Sequence, residues 1–323
     1  MPYTNASATP RSDIYALVMQ SNQDWNKVFI GDKVLPIKGE EVKRGIYMKA
    51  NMANAQLMNG DAKPRESGAS YQRINRSYDT DLFDAQEYGL ESVIDDAYES
   101  EVERFMNLEA TEAMLLERNL RIAYEIRVAA AVMNATTFTA TDPKVNYTET
   151  LLSTQNLPAD VAAAKERMLL QGVLPNSIIM SQTLFNMVRR STLMQNQVFG
   201  VVPRNAGQNR QPGAEDIARA LDVDNLYVAA AAKNNNAEGQ THSGAFIWGN
   251  IYIAVCHIAG GEYQAGGIGR TIQWTKDTTG LFTPETYRDD RIRSNVMRVR
   301  QHTAEKIVDS TACQLIKTNY SAS

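Results

Sequence analysis

The chain has 323 residues, of which 43% are hydrophobic and 22% are charged, so its composition is that of a globular protein with a substantial core. Its length allows about two domains, and its formal net charge of −4 argues against tight wrapping of nucleic acid. No apolar stretch approaches the about 18 residues of a membrane span, and no signal-peptide pattern opens the chain. The two cysteines, Cys256 and Cys313, form no CxxC pair and are expected to be reduced thiols.

Residues 1–39 are predicted to form an N-terminal arm. Their opening stretch is small, polar and proline-containing, which favours a mobile, extended segment. A short helix is predicted over Ile14–Ser21, with Asp13 as its N-cap. Residues 33–39 are largely apolar, and Pro36 favours an edge or contact strand there.

Residues 40–83 are predicted to form a long β-hairpin. Its strands are Gly45–Ala50 and Tyr71–Phe83, and glycine and proline interrupt the polar tip Asn51–Ser70 between them. A two-stranded hairpin is marginally stable by itself. This hairpin is therefore expected to lean on a neighbour.

A long helix is predicted from about Tyr98 to Asn134, within a segment of residues 84–139. Neither proline nor glycine interrupts it, acids crowd its start and arginines follow toward its end, which favours the helix dipole. At about 1.5 Å per residue it would be roughly 55 Å long, far beyond the usual helix. One face is predicted to run through Val102, Phe105, Leu108, Glu112, Leu115, Leu116, Asn119, Ala123, Ile126 and Ala130. A coiled coil is the alternative, although the heptad repeat is not kept.

Residues 140–284 are predicted to form a body in which helices and strands alternate. That alternation is typical of a compact α/β or α+β domain. A turn at Gly249-Asn250 predicts a β-hairpin over Gly244–Ile258. The other predicted elements are the helices Asp160–Gln171, Gln182–Arg190 and Ala214–Leu221, the strands Pro175–Ser181 and Leu226–Ala231, and a glycine-rich turn into a strand over Ala265–Thr275.

Residues 285–323 are predicted to form a tail of strands. Met297 and Val299 alternate with Arg298 and Arg300, which indicates a strand with one apolar and one basic face. Short strands are predicted to continue over Ala304–Thr318. Together with the long helix, this tail is predicted to form a second domain that encloses the body in sequence.

No pattern of catalytic residues stands out. The phosphate loop GxxxxGK[ST] and the nucleophile elbow GxSxG are absent from the sequence, and the glycines of residues 260–269 do not fit the dinucleotide fingerprint. His242, His257 and His302 have no HxxxH partner, and Cys256 beside His257 is only half of a metal site. We therefore predict no catalytic residue, no cofactor and no metal.

The tail carries a cluster of arginines. One interpretation is contact with the phosphates of packaged nucleic acid. Another is ion pairing with acids of neighbouring subunits, and the third is a solvated strand face. The cluster consists of Arg288, Arg291, Arg293, Arg298 and Arg300.

The order of these parts resembles that of the major capsid proteins of tailed bacteriophages with the Hong Kong 97-type fold. The resemblance covers most of the chain, and the order of the matching segments is more specific than any single segment. It implies an α+β fold with an N-arm, an E-loop hairpin, a P-domain with a long spine helix and closing strands, and an A-domain. The segments that carry it are Asp32–Ile37, residues 40–80, Leu108–Asn134, Leu174–Ser191, Ile217–Asn235, Gly244–Val255 and Tyr287–Ile316.

The resemblance implies a structural protein and not an enzyme. Its copies would assemble as hexamers and pentamers into an icosahedral shell around double-stranded DNA, with scaffolding, portal and decoration proteins as further partners and no membrane. It would be assembled in the host cytoplasm and located in the virion. No long scaffolding segment precedes the arm, so a separate scaffold, a processed chain or scaffold-free assembly is expected. The E-loop residues expected between subunits are Asn59, Lys63, Arg65 and Glu66.

Two alternatives to a phage capsid stay open at this point. An encapsulin-like nanocompartment would have the same fold but would enclose a protein cargo. An oligomeric α/β enzyme would carry an active site that no motif marks.

Overall fold

The computed structural model describes residues 28–49, 62, 64–71, 73, 79–97, 107–148, 151–200, 211–237, 239–262, 266–278 and 280–320, and the backbone of residues 9–10. The predicted helix Ile14–Ser21 and most of the predicted hairpin tip lie outside these residues.

The elements of the described residues are as follows, in chain order. The strands are β1 (Thr9–Pro10), β2 (Ile37–Glu40), β3 (Arg44–Lys49), β4 (Asp79–Asp84), β5 (Gln86–Asp95), β6 (Thr139–Thr141), β7 (Ser177–Ser181), β8 (Asn225–Ala229), β9 (Ala232–Asn234), β10 (Gly244–Phe246), β11 (Tyr252–Cys256), β12 (Gly269–Trp274), β13 (Thr283–Asp289), β14 (Ser294–Ile307) and β15 (Cys313–Lys317). The helices are α1 (Gly31–Val34), α2 (Leu108–Val132), α3 (Leu157–Leu170), α4 (Gln182–Val188), α5 (Thr192–Phe199) and α6 (Ala214–Ala220).

A large sheet is organised around the long strand β14. Its order is β1-β13-β14-β12-β2, and β5 also pairs with β14. All of its pairs are antiparallel except the pair of β2 with β12. The predicted alternation along β14 holds, because Met297 and Val299 enter the core against α2 while Arg298 and Arg300 lie on the other face.

The helix α2 is the predicted spine helix. It begins after Asn107, whose side chain accepts a hydrogen bond from the Ala110 amide, and it extends for 25 residues. The predicted helix is confirmed from Leu108 to Val132 but is shorter than predicted, because Asn107 has an extended backbone and caps its start. Residues 98–106 lie outside the described part. No glycine or proline breaks this stretch, which is why the helix persists.

The buried face of α2 agrees only in part with the predicted one. Leu108 and Leu116 are buried as predicted, but the buried residues continue through Leu120, Tyr124 and Val128, while Leu115 is 47% exposed. The face is chemically mixed, since the Tyr124 hydroxyl bonds to the Thr271 hydroxyl at 2.7 Å in the sheet. Buried polar side chains interrupt the helical spacing of apolar residues. The sequence pattern therefore predicts a face that is shifted by about one residue from the buried one.

A second sheet forms the centre of the body, in the order β6-β15-β11-β7-β8. Strand β7 is buried along its whole length and pairs in parallel with β8. The predicted strands and helices on either side of it are confirmed to within a few residues. Their apolar side chains form a second core around Met168, Met180, Leu184 and Val255.

Three sequence-based assignments are corrected by the pairing. The predicted hairpin Gly244–Ile258 is wrong, because β10 pairs with β9 while β11 lies between β15 and β7. The segment of residues 84–139 contains the strand β5 before its helix. The strand β12 belongs to the large sheet, and β15 belongs to the body sheet, so the sheets cross the predicted division at residue 285. Local patterns show where a strand lies but not which distant strand it pairs with.

Candidate assembly surfaces

The stem of the predicted hairpin is formed by β3 and β4. The strands are antiparallel, from Arg44 opposite Asp84 to Lys49 opposite Asp79. On the inner face Tyr47 and Phe83 are buried against Ile272 and other residues of the large sheet, and the Tyr47 hydroxyl donates to the Ile307 carbonyl at 3.2 Å. The base of the hairpin is therefore fixed to the subunit's own sheet.

The outer face of the same stem is apolar and exposed. Ile46 lies directly opposite Leu82, and each side chain is 67% exposed. Met48 continues this face and is 46% exposed. A cross-strand pair of large apolar residues facing solvent, on a ribbon whose other face is fixed, has the character of an interaction surface.

The four predicted E-loop residues fall in two groups. Asn59 and Lys63 lie outside the described residues. Arg65 and Glu66 are exposed. The Arg65 guanidinium lies 4.7 Å from the centre of the Tyr71 ring, and the Glu66 carbonyl accepts from the Ala69 amide at 3.1 Å. A contact between subunits at these residues stays a prediction.

The predicted arginine cluster is divided by the structure. Arg298 and Arg300 both bind Glu285, whose side chain is only 4% exposed. Arg298 donates to one carboxylate oxygen at 2.5 and 3.1 Å, and Arg300 donates to the other at 2.7 and 2.9 Å. Burial alone would raise the pKa of Glu285, but these hydrogen bonds outweigh it and lower that pKa.

This row of paired side chains, the charge ladder, continues along β14 to His302. Arg300 also pairs with Asp277, and His302 Nδ1 lies 2.8 Å from Asp277 Oδ2. The His302 ring packs edge-on against Trp274 with 5.2 Å between the ring centres. The guanidinium groups of Arg298 and Arg300 are thus paired with acids of the same subunit.

Replacing Glu285 with glutamine is expected to lower the free energy of unfolding by about 2 kcal/mol at neutral pH, since two arginines lose a buried partner. Urea denaturation followed by circular dichroism measures it. Because the folded-state pKa of Glu285 is lowered, the advantage of the wild type is present at neutral pH and is lost as the pH falls through that lowered value. Asp290→Asn is the control, since Asp290 is 92% exposed and should change stability by less than about 0.5 kcal/mol. An equal effect of both variants would contradict this account of the ladder.

The other three arginines lie near the turn between β13 and β14. Arg288 makes a two-pronged ion pair with Asp96, at 2.5 and 2.7 Å. Arg291 and Arg293 lie in the turn itself and are exposed.

A buried carboxylate that the sequence did not reveal joins the arm, the helix and the body. Glu125 of α2 is fully buried. Its Oε1 accepts from the Ile30 amide at 3.0 Å and from Trp248 Nε1 at 2.6 Å, and its Oε2 accepts from the Gly31 amide at 2.8 Å. A Cβ at Gly31 would lie 2.6 Å from Glu125 Oε2, so glycine is required there for the close approach. In the sequence, the sign of this buried carboxylate is that Glu125 lies next to the apolar face of a predicted helix.

The described residues offer little that an enzyme would need. They contain no group of His, Cys, Asp and Glu side chains that could hold a metal ion. A groove of about 470 Å³ between α6 and β8 is lined by Ala218, Val223 and Leu226, and its acids Glu215 and Asp224 are exposed. None of the helices in this part of the chain has the length and hydrophobicity of a membrane span.

Known structures share this architecture although the sequences have diverged. No family model matches the chain, and no curated protein does. A phage-related protein from Bordetella bronchiseptica RB50 superimposes with a TM-score of 0.68 at 16% identity, over 97% of this chain and 98% of that one. The capsid of cyanophage P-SCSP1u gives 0.58 at 12% identity, over 91% and 89%. The capsid of a native GTA particle gives 0.55 at 10% identity, over 92% and 91%.

The chain has the fold of phage capsid proteins. The likeness covers nearly the full length of both chains, so it includes the large sheet, the spine helix and the body together. The predicted α+β Hong Kong 97-type fold is confirmed.

Proposed function

We propose that this chain is a major capsid protein, whose copies assemble as hexamers and pentamers into an icosahedral shell around double-stranded DNA. The observation that carries the proposal is the likeness of fold to capsids over nine-tenths of the chain. The function then consists of forming interfaces and involves no catalysis.

The hairpin stem supplies the first of these interfaces. Ile46 and Leu82 would lie against a neighbouring copy, where burying each side chain contributes about 1.5–3 kcal/mol. The tip beyond the stem would extend the contact, and the full interface would approach the more than about 2,000 Å² of obligate assemblies. Repetition of one such contact around symmetry axes produces a closed shell.

The spine helix makes the subunit rigid, together with the Glu125 junction, by which we mean the contacts of Glu125 with Ile30, Gly31 and Trp248. α2 crosses the large sheet and is tied to it by several polar contacts, such as Ser92 to Glu112 at 2.8 Å and Arg127 to Glu305 at 3.2 Å. Glu125 fixes the base of the arm and the body to the same helix. A subunit that holds its interfaces at fixed angles favours one curvature of the shell.

The charge distribution of the subunit favours a shell that encloses DNA without binding it tightly. The net charge is −4, and two arginines of the predicted basic cluster, Arg298 and Arg300, are paired with Glu285 and Asp277. A shell of this kind would need a portal to admit DNA, and scaffolding or decoration proteins would act on its two surfaces. Assembly in the host cytoplasm and residence in the virion follow from this function.

Negative-stain electron microscopy of the purified chain, with light scattering on the same sample, tests the proposal. Closed shells, or rings of hexamers and pentamers, are the expected result. Nucleic acid inside native particles would support the capsid, whereas a packaged protein without nucleic acid would favour the encapsulin-like alternative. A soluble monomer or dimer that never assembles, even with a scaffolding protein supplied, would contradict the proposal and favour the enzyme alternative.

A further inference from the structure

The two cysteines of the chain, Cys256 and Cys313, come from distant parts of the sequence and meet in the body sheet. They lie directly opposite each other where β11 pairs with β15. Both thiols are free, and both side chains are fully buried in the core that the body sheet shares with α2. A strand of the body and a strand of the tail thus bring one sulfur each to the same place.

The hydrogen bonds between these strands place the cysteines at a non-hydrogen-bonded pair. The His257 amide donates to the Ala312 carbonyl at 2.9 Å, and at the other end the Thr318 amide donates to the Ile251 carbonyl at 2.9 Å. Hydrogen-bonded and non-hydrogen-bonded pairs alternate along an antiparallel ladder, so the pair next to His257 and Ala312 is of the second kind. Its Cα atoms are about 4.5 Å apart, within the range of about 4.4–6.8 Å that a disulfide spans.

The surroundings of the two thiols favour a structural bond over catalysis. Burial raises the pKa of Cys256 to about 12, and burial together with the nearby Cys256 raises the pKa of Cys313. A catalytic cysteine needs the opposite, namely a lowered thiol pKa at an accessible site. The neighbouring His257 is directed elsewhere, because its Nδ1 lies 2.7 Å from the Leu174 carbonyl oxygen.

We propose that Cys256 and Cys313 form a disulfide within one subunit when the protein meets an oxidant of the peroxide class. The Cys256 thiolate attacks one oxygen of hydrogen peroxide, the O–O bond breaks, and a sulfenic acid and one water form. The Cys313 thiolate then attacks the Cys256 sulfur, the S–O bond breaks, and a second water leaves. Two thiols are oxidised, one peroxide is reduced, and the two thiol protons end in the two waters.

A small oxidant has a route to the buried pair. β11 ends at Cys256 and β15 begins at Cys313, so the pair lies at one end of both strands. Strand ends open locally more often than strand centres do. A brief opening there admits a molecule as small as hydrogen peroxide, and the raised pKa of each thiol makes the reaction slow.

The disulfide would close a long loop of the chain. Residues 257–312, which lie between the cysteines, contain β12, β13 and β14 of the large sheet. The bond would fix both ends of this segment in the body sheet and join the tail strand β15 covalently to the body. Closing a long loop lowers the conformational entropy of the unfolded chain, which stabilises the fold. The setting rests on the proposed function, since a virion that leaves a reducing cytoplasm meets conditions in which disulfides persist.

Counting the thiols of the purified full chain tests the proposal. The reduced chain is treated with hydrogen peroxide, quenched with catalase, unfolded in guanidinium and alkylated with iodoacetamide before mass spectrometry. Because the chain has two cysteines, an internal disulfide has one possible pairing. We expect a monomer without a free thiol and a proteolytic peptide pair that joins Cys256 to Cys313. Two free thiols, sulfinic acid at either cysteine, or disulfide-linked dimers as the main product would overturn the proposal.

A matched control moves one sulfur along its own strand. In the chain with Cys313→Ala and Leu315→Cys, the second thiol lies opposite Ala254, two residues from the native position. Diagonal neighbours of this kind are about 7–8 Å apart, so the linked fraction should fall at least about tenfold. Cys256→Ala with Ala254→Cys is the mirror-image control, and circular dichroism shows which of the two variants folds. Linking as complete as in the wild type would contradict the geometric argument.

The effect on stability has its own measurement. Thermal unfolding of the oxidised chain is compared with that of the same sample after reduction, so that oxidised methionines are present in both. The midpoint of the oxidised form should be higher by about 5 °C. An equal or lower midpoint would overturn the stabilising role of the bond.

None of these measurements depends on assembly of the particle. Shells whose subunits keep two free thiols after peroxide treatment would overturn the inference and leave the proposed function intact. A disulfide in a chain that never forms shells would support the inference and count against the function.

Discussion

Replacing Ile46 and Leu82 together with serine is expected to abolish shell assembly while the subunit stays folded. Both side chains are 67% exposed in the single subunit, so the fold loses almost nothing when they become polar. The assembled shell loses about 3–5 kcal/mol of apolar burial at every copy of the contact, and that loss is repeated throughout the particle. Electron microscopy and light scattering measure the particles, and circular dichroism measures the fold.

The control for this double variant is Leu174→Ser. Leu174 is 68% exposed but lies in the body, away from the hairpin. It should assemble like the wild type, with the same midpoint of thermal unfolding. Normal shells from the Ile46 and Leu82 variant would contradict the assigned role of the hairpin, and so would equal loss of assembly by the control.

Removing the Glu125 side chain is expected to cause the largest loss of stability of any single substitution considered. Glu125→Ala leaves three donors without an acceptor, namely the amides of Ile30 and Gly31 and the indole of Trp248. It also leaves a cavity at a fully buried position. The two effects together should lower the free energy of unfolding by about 4 kcal/mol or more. Urea denaturation at neutral pH is the measurement, with exposed Glu166→Ala as the control.

The pH dependence of the free energy of unfolding is a second test of the contacts of Glu125. Burial raises the pKa of Glu125, and the hydrogen bonds that it accepts offset only part of that shift. A raised folded-state pKa stabilises the fold below the ordinary value of 4.5, and this contribution is lost as the pH rises through the raised value. The difference in unfolding free energy between the wild type and Glu125→Gln should therefore shrink as the pH rises. A difference that grows with pH would contradict the burial argument.

The sequence predicted those elements whose signals are local. The first stem strand was predicted within one residue of its observed bounds, whereas the return strand, predicted over Tyr71–Phe83, is described only over Asp79–Asp84. The spine helix follows from a long stretch without glycine or proline. The alternation of Met297 and Val299 with two arginines predicted the central strand correctly. Each of these patterns depends only on neighbours along the chain.

The remaining features depend on residues far apart in sequence. Cys256 lies opposite Cys313 in the body sheet, and no local pattern indicates that a strand from the tail enters there. The pairing of Arg298 and Arg300 with Glu285 and Asp277 neutralises a face that looks basic in the sequence. Glu125 was missed because a glutamate in a helix is ordinarily read as a solvent-facing residue.

A cryo-electron microscopy reconstruction of particles assembled from this chain tests the shell and the hairpin interface together. We expect a closed shell in which a neighbouring copy covers Ile46 and Leu82. A shell in which both side chains still face solvent would contradict the assigned interface. Failure to form any shell, with scaffolding protein supplied, would contradict the proposed function itself.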